Sequence, residues 1–91
     1  MRIEFDPEKD VQNREKHGAS LALGAKVLAD TSRLEILDVR FNYAEERFIV
    51  YGNVLGRIYV CVFTERGRTR RIISVRRAND RETERYNKTP R

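Results

Sequence analysis

The chain has 91 residues, enough for one domain with one modest core. A single cysteine excludes an intrachain disulfide, and no apolar run approaches the ~20 residues that span a bilayer. Net charge is +5, and the excess lies in the last third: residues 1–63 carry nine Lys/Arg against ten Asp/Glu, residues 64–91 ten against four. That imbalance suits a polyanion-binding face, although a solvated surface that keeps a small domain soluble has the same composition.

"MRIEFDPEKD" has no secretory apolar core, so a soluble cytoplasmic protein is expected, with no membrane partner. "RIEF" alternates polar and apolar residues as a short strand does, and it suits a sheet edge. Asp6 and Pro7 are start signals for a helix that runs to Lys16 or His17, where Gly18 can stop it. Val11 is its one clearly inward residue. Lys9, Asn13 and His17 share a polar stripe at i, i+4 and i+8. Ser20 can cap a second helix, in which Leu21, Ala25 and Leu28 should face the core. Gly24 weakens that helix, or lets a neighbour come close.

Four strands follow: 33–39, 46–53, 56–64 and 68–77, the last three joined by turns of hairpin length. Cys61 sits in apolar "IYVCVF", which favours a small buried hydrophobe over a reactive thiol. Asn79 and Glu82 then form a capping-box pattern at the start of a final helix. The sum is an α+β domain spanning residues 1–91, β-α-α-β-β-β-β-α, with helices packed on one face of an antiparallel sheet.

The segment from Thr64 to Tyr86 holds eight arginines around the apolar Ile72-Ile73-Ser74-Val75. Strict alternation puts Arg70, Ile72, Ser74 and Arg76 on one face and Arg71, Ile73, Val75 and Arg77 on the other. Either Arg70 and Arg76 or Arg71 and Arg77 should then look onto an open side, converging on a hollow that takes a polynucleotide backbone.

Guanidinium is planar, always charged and bidentate to phosphate. It suits RNA cleavage in which the 2′-hydroxyl attacks the neighbouring phosphate, and that reaction needs a base and an acid. Arg76 and Arg77 lead for transition-state contacts, and Arg70 and Arg71 follow. Arg66, Lys16, Arg47 and Arg81 are further RNA-binding candidates. His17, Glu46 and Tyr86 are candidates for proton transfer, with Glu65 and Glu82 also in range of the segment. His17 equally fits a helix C-terminus, where the dipole favours it. Tyr86 equally fits packing at a helix end. Tyr43, Tyr51 and Tyr59 read as sheet residues, though an exposed tyrosine can stack on a base. One histidine and one cysteine make no zinc pattern, and no phosphate-binding glycine loop of a recognised kind occurs, so neither metal nor cofactor is expected.

Three stretches, "FDPEKDVQNREKHG", "EERFIVYG" and "VFTERGRTRRIISVRRANDRETERY", resemble the BrnT family of toxins in order and spacing. The resemblance covers nearly the whole chain. It implies a RelE-like fold and a ribonuclease toxin of a type II toxin–antitoxin module that shuts down protein synthesis. It also implies a BrnA-like antitoxin with a ribbon-helix-helix domain, whose complex with the toxin binds operator DNA. The shared motifs fall on Lys16, His17 and Gly18, on Glu46 and Arg47, on Glu65, Arg66 and Gly67, and on Arg76, Arg77, Glu82 and Tyr86. The alternative is a module that binds RNA or the antitoxin without turnover.

Overall fold

A computed structural model describes residues 2–39 and 44–91. Tyr43 falls outside them. The elements are β1 (Arg2–Glu4), α1 (Pro7–His17), a 3-10 turn (Leu21–Leu23), α2 (Gly24–Leu28), β2 (Leu34–Asp38), β3 (Arg47–Val54), β4 (Arg57–Arg66), β5 (Thr69–Arg77) and α3 (Asp80–Lys88). The start and stop signals act as expected. Asp6 accepts the Glu8 N–H at 2.9 Å, and Gly18 closes α1 at φ 69°. Asn79 and Glu82 form the reciprocal capping box. Gly56 and Gly67 supply positive φ in the two hairpin turns.

The sheet has the order β1-β5-β4-β3-β2. It is mostly antiparallel but mixed, because the edge strand β1 runs parallel to β5. The helices do not all lie on one face. Leu21, Val27 and Leu28 pack on Val50, Cys61, Phe63, Ile72 and Val75. Tyr86 of α3 packs on Tyr51, Ile58 and Val60, which the β3–β4 register places on the opposite face. With α3 returning below the sheet, both faces bury apolar residues. This is why β4 reads as apolar on both sides.

The strict alternation expected along β5 also fails. Phe63 pairs with Ile72, but Val62 pairs with Ser74, so Ile73 has no partner and forms a bulge. Ile72 and Val75, 2% and 0% exposed, therefore share a face although they are three residues apart. Arg70 and Arg77 share it with them, and Arg71, Ser74 and Arg76 lie on the other. Burial of two large aliphatic side chains in one core accounts for the bulge; a regular strand would leave one of them on the wrong side.

Two inward positions on the helices also differ. Val11 is 52% exposed, and the buried residues of α1 are the polar Asp10 and Asn13. Ala25 is exposed, whereas Gly24 and Val27 are buried. The helix lies too close to the sheet for another register. A Cβ on Gly52 would stand 2.5 Å from the Val27 carbonyl oxygen, and one on Gly24 3.1 Å from Ile72 Cδ1. Cys61 is fully buried there, and burial pushes its thiol up to about 12, so it stays protonated and inert.

Candidate active site

The site grows from the unusual inner face of α1. β1 pairs with Thr69, Arg70 and Arg71, and among the described residues the second half of the β5 edge has no strand neighbour. Asn13 takes that place. Its amide donates to Val75 O at 2.7 Å and to Ala19 O at 2.8 Å, and its Oδ1 accepts the Val75 N–H at 3.3 Å. Buried backbone groups must find partners, and here one side chain serves three of them. Asp10, one turn earlier, accepts from Ser20 Oγ at 3.0 Å and from the Leu21 N–H at 2.7 Å. Arg14, Leu21 and Ser20 together hold its carboxyl below the usual carboxylate range. The end of α1, the loop after it and the end of β5 are thereby fixed to one another.

Between them lies a hollow of about 370 Å³. His17, Ser20, Leu23, Lys26, Tyr59 and Arg77 line it. Tyr59 and Arg77 are paired residues on neighbouring strands, so both project to this face. Two smaller hollows flank it. One, about 200 Å³, shares His17 and adds Lys9, Lys16 and Ser74. The other, about 280 Å³, shares Arg77 and adds Arg57, Asp80 and Asn87. His17 and Arg77 thus stand at the joints of three adjoining concavities. Burial, then the nearby charges of Lys16 and Arg76, lower the pKa of His17 below its ordinary 6.5. Its imidazole is neutral at pH 7 and can accept a proton.

Among the described residues Arg77 has no carboxylate at ion-pair distance. The other arginines differ. Arg76 makes a bidentate pair with Glu82 at 2.7 and 2.8 Å, on the α3 face, and that contact lowers the Glu82 pKa. Arg70 lies over the Phe63 ring at 4.9 Å, with Glu35 and Glu65 at 3.6 and 3.8 Å. Arg71 meets Glu4 and Arg66 meets Glu45, each at 3.3 Å. Arg47 is half-buried at the start of β3, opposite Asp38. Arg81 is exposed on α3. The expected convergence of arginines on one hollow does not occur: ion pairing and the bulge disperse them, and among the described residues Arg77 is the one arginine that lines it.

The proton-transfer candidates are likewise separated. The Glu46 carbonyl accepts from Thr64 Oγ1, five residues along β4 from Tyr59, or about 17 Å at strand rise. Glu65 lies next to Thr64, at that same distant end. Tyr86 is 6% exposed and gives its hydroxyl to Asp30 Oδ2 at 2.5 Å on the other side of the sheet. Burial and the Asp30 carboxylate raise the Tyr86 pKa. Of the sequence candidates, the structure brings together His17, Lys16 and Arg77. Of the other lining residues, helix spacing already joins Lys9 to His17, Tyr59 reads in the sequence only as a sheet residue able to stack on a base, and nothing local points to Lys26. The register that sets Tyr59 beside Arg77 is encoded by no local pattern.

A basic α+β domain with a neutral imidazole and a bare guanidinium over one open hollow has the make-up of a small phosphate-handling protein. The chain belongs to the BrnT family: the family model described as ribonuclease toxin, BrnT, of type II toxin-antitoxin system matches residues 5–82. The match takes in both joints of the hollows and ends before Tyr86. No curated protein matches the chain. Among the described residues no three His, Cys, Asp or Glu side chains gather as a metal site, and no helix is long and apolar enough to cross a membrane.

Proposed function

We propose that this toxin cleaves RNA strands internally and without metal, at the junction formed by His17 and Arg77. Neutral His17 takes the proton of a 2′-hydroxyl. The 2′-oxygen bonds to the adjacent phosphorus, and the bond from phosphorus to the 5′-oxygen breaks. The leaving oxygen takes a proton from water on the open side of the hollow. Arg77 holds the non-bridging oxygens through the transition state, and Lys26 adds charge from across the hollow. The observation that carries this reading is that an arginine without a carboxylate partner and a histidine of lowered pKa line the same concavity.

The consequence in the cell is a block of protein synthesis in the cytoplasm. The antitoxin is a BrnA-like ribbon-helix-helix protein, whose complex with the toxin binds operator DNA. A RelE-like fold agrees with a twisted sheet that carries helices beside its functional end. The test is digestion of RNA by purified toxin in excess chelator. Fragments ending in 2′,3′-cyclic phosphate are expected. His17→Ala should lower the rate about 10²- to 10⁴-fold, the usual contribution of a general base. Intact RNA at saturating binding would leave a module that binds without turnover.

A further inference from the structure

The central hollow differs chemically from its two neighbours. Ala22, Leu23 and Tyr59 give it apolar lining, to which Lys26 and Arg77 add two cations. The outer hollows carry more polar side chains: Lys9, Gln12 and Lys16 beside Ile73 in one, Asn53, Arg57, Asp80 and Asn87 beside Ile58 in the other. At about 370 Å³ the central one is at the small end of sites that enclose a small ligand. Tyr59 is half-buried and packs by one side on the core cluster, so its ring is held in place. A phosphate has no use for such walls. A flat heteroaromatic group does, because stacking on an aromatic side chain requires only a face and tolerates any base.

Resting on the reading of His17 and Arg77 as the cleavage site, we infer that the central hollow seats one unpaired nucleobase against Tyr59. The strand then runs along the three hollows, with a phosphate at each joint. The substrate class is single-stranded RNA. A base in an A-form duplex is stacked and paired, and its deep major groove does not admit side chains, so the hollow can take a base only when it is splayed out. Lys9 and Lys16 on one side and Arg57 on the other continue the cationic path beyond the joints. The inner cations thus meet the backbone while the apolar walls meet the base.

The test uses the full toxin and three versions of one RNA: the single strand, the same strand in a duplex, and the single strand with an abasic nucleoside at either position flanking the mapped cleavage point. The single strand should be cleaved at least tenfold faster than the duplex. One abasic position should raise KM about tenfold, in line with the loss of one stacked base, and change kcat less. Tyr59→Leu should abolish the difference between intact and abasic strands, and Tyr59→Phe should restore it. Equal cleavage of the abasic and intact strands by the wild type, or of duplex and single strand, would overturn the inference while leaving the cleavage site standing. The same RNAs are titrated for binding. If the wild type binds but cuts nothing, catalysis falls, and at least tenfold weaker binding of a strand made abasic at every position still reports the base seat. Equal binding of both strands in that case ends it.

Discussion

Arg70 and Arg77 lie on the same face of the same strand and behave in opposite ways. Arg70 is 18% exposed, set over Phe63 and flanked by two glutamates. Arg77 is exposed, makes no ion pair among the described residues, and opens onto two hollows, one of which Asp80 also lines. A guanidinium already neutralised by its own fold offers a phosphate little, because binding must first break the internal pair. The excess of positive charge in the sequence is real, yet most of it is committed. Besides Arg77, the hollows draw their cations from Lys9, Lys16, Lys26 and Arg57, in the portion of the chain whose net charge is −1.

The sharpest way to break this contrast is to remove each arginine in turn. Arg77→Ala should cost about 10²- to 10³-fold in RNA cleavage, the scale of losing one preorganised transition-state donor. It should change stability by under about 0.5 kcal/mol, as exposed substitutions do. Arg70→Ala should do the reverse, losing about 1 kcal/mol in denaturant melts through its ring and ion contacts while cleavage stays near wild type. Equal loss of cleavage in both would mean that pairing does not decide the role.

Asn13→Ala comes next. It strips three backbone groups of a buried partner and should destabilise the fold by about 1–3 kcal/mol. Cleavage should fall further than stability alone explains, because the hollow loses its hinge with β5. Comparing rates at temperatures where the variant is still folded separates the two effects.

Glu82→Gln tests the committed state from the other side. Without that carboxylate Arg76 loses its bidentate pair and the protein gains one unit of positive charge, so RNA affinity should rise about threefold at low salt, with a steeper salt dependence. An unchanged salt slope would count against it.

The smallest effect concerns pH. His17 must be neutral to act, so kcat/KM should rise with pH through its pKa. That pKa lies below 6.5, first because of burial and then because of Lys16 and Arg76, so the acid limb is displaced to lower pH than a free imidazole would give. Lys16→Gln removes one of those charges and should move the limb towards higher pH. Stability has the same sign. The unfolded chain protonates this imidazole first, so the folded state loses ground as pH falls through the window below 6.5.

Much of this was legible in the residues. Asp6, Gly18, Ser20, Asn79 and Glu82 are local signals with local mechanisms, and each marks the boundary it should. The strands were visible for the same reason. Other features depend on partners far along the chain. Val11 looked like the buried residue of α1, yet the inward faces belong to Asp10 and Asn13, whose polar groups are satisfied by Leu21 and Val75. The placement of α3 across the sheet depends on Tyr86 meeting Tyr51 and Val60, which helix periodicity does not report. Arg77 was chosen from its charge. What sets it apart from Arg76 is its neighbours.

The bulge at Ile73 lets Arg77 share a face with Ile72 although the two are an odd number of residues apart. Excising that single residue would straighten the strand and still leave Arg77 in place, since the flanking pairs would simply become consecutive. Inserting one residue after Val75 would instead exchange the two arginines, bringing Arg76 to the face that Tyr59 shares and sending Arg77 to the α3 side. A toxin of this design could therefore be disarmed by a change in spacing alone, with every reactive side chain still present.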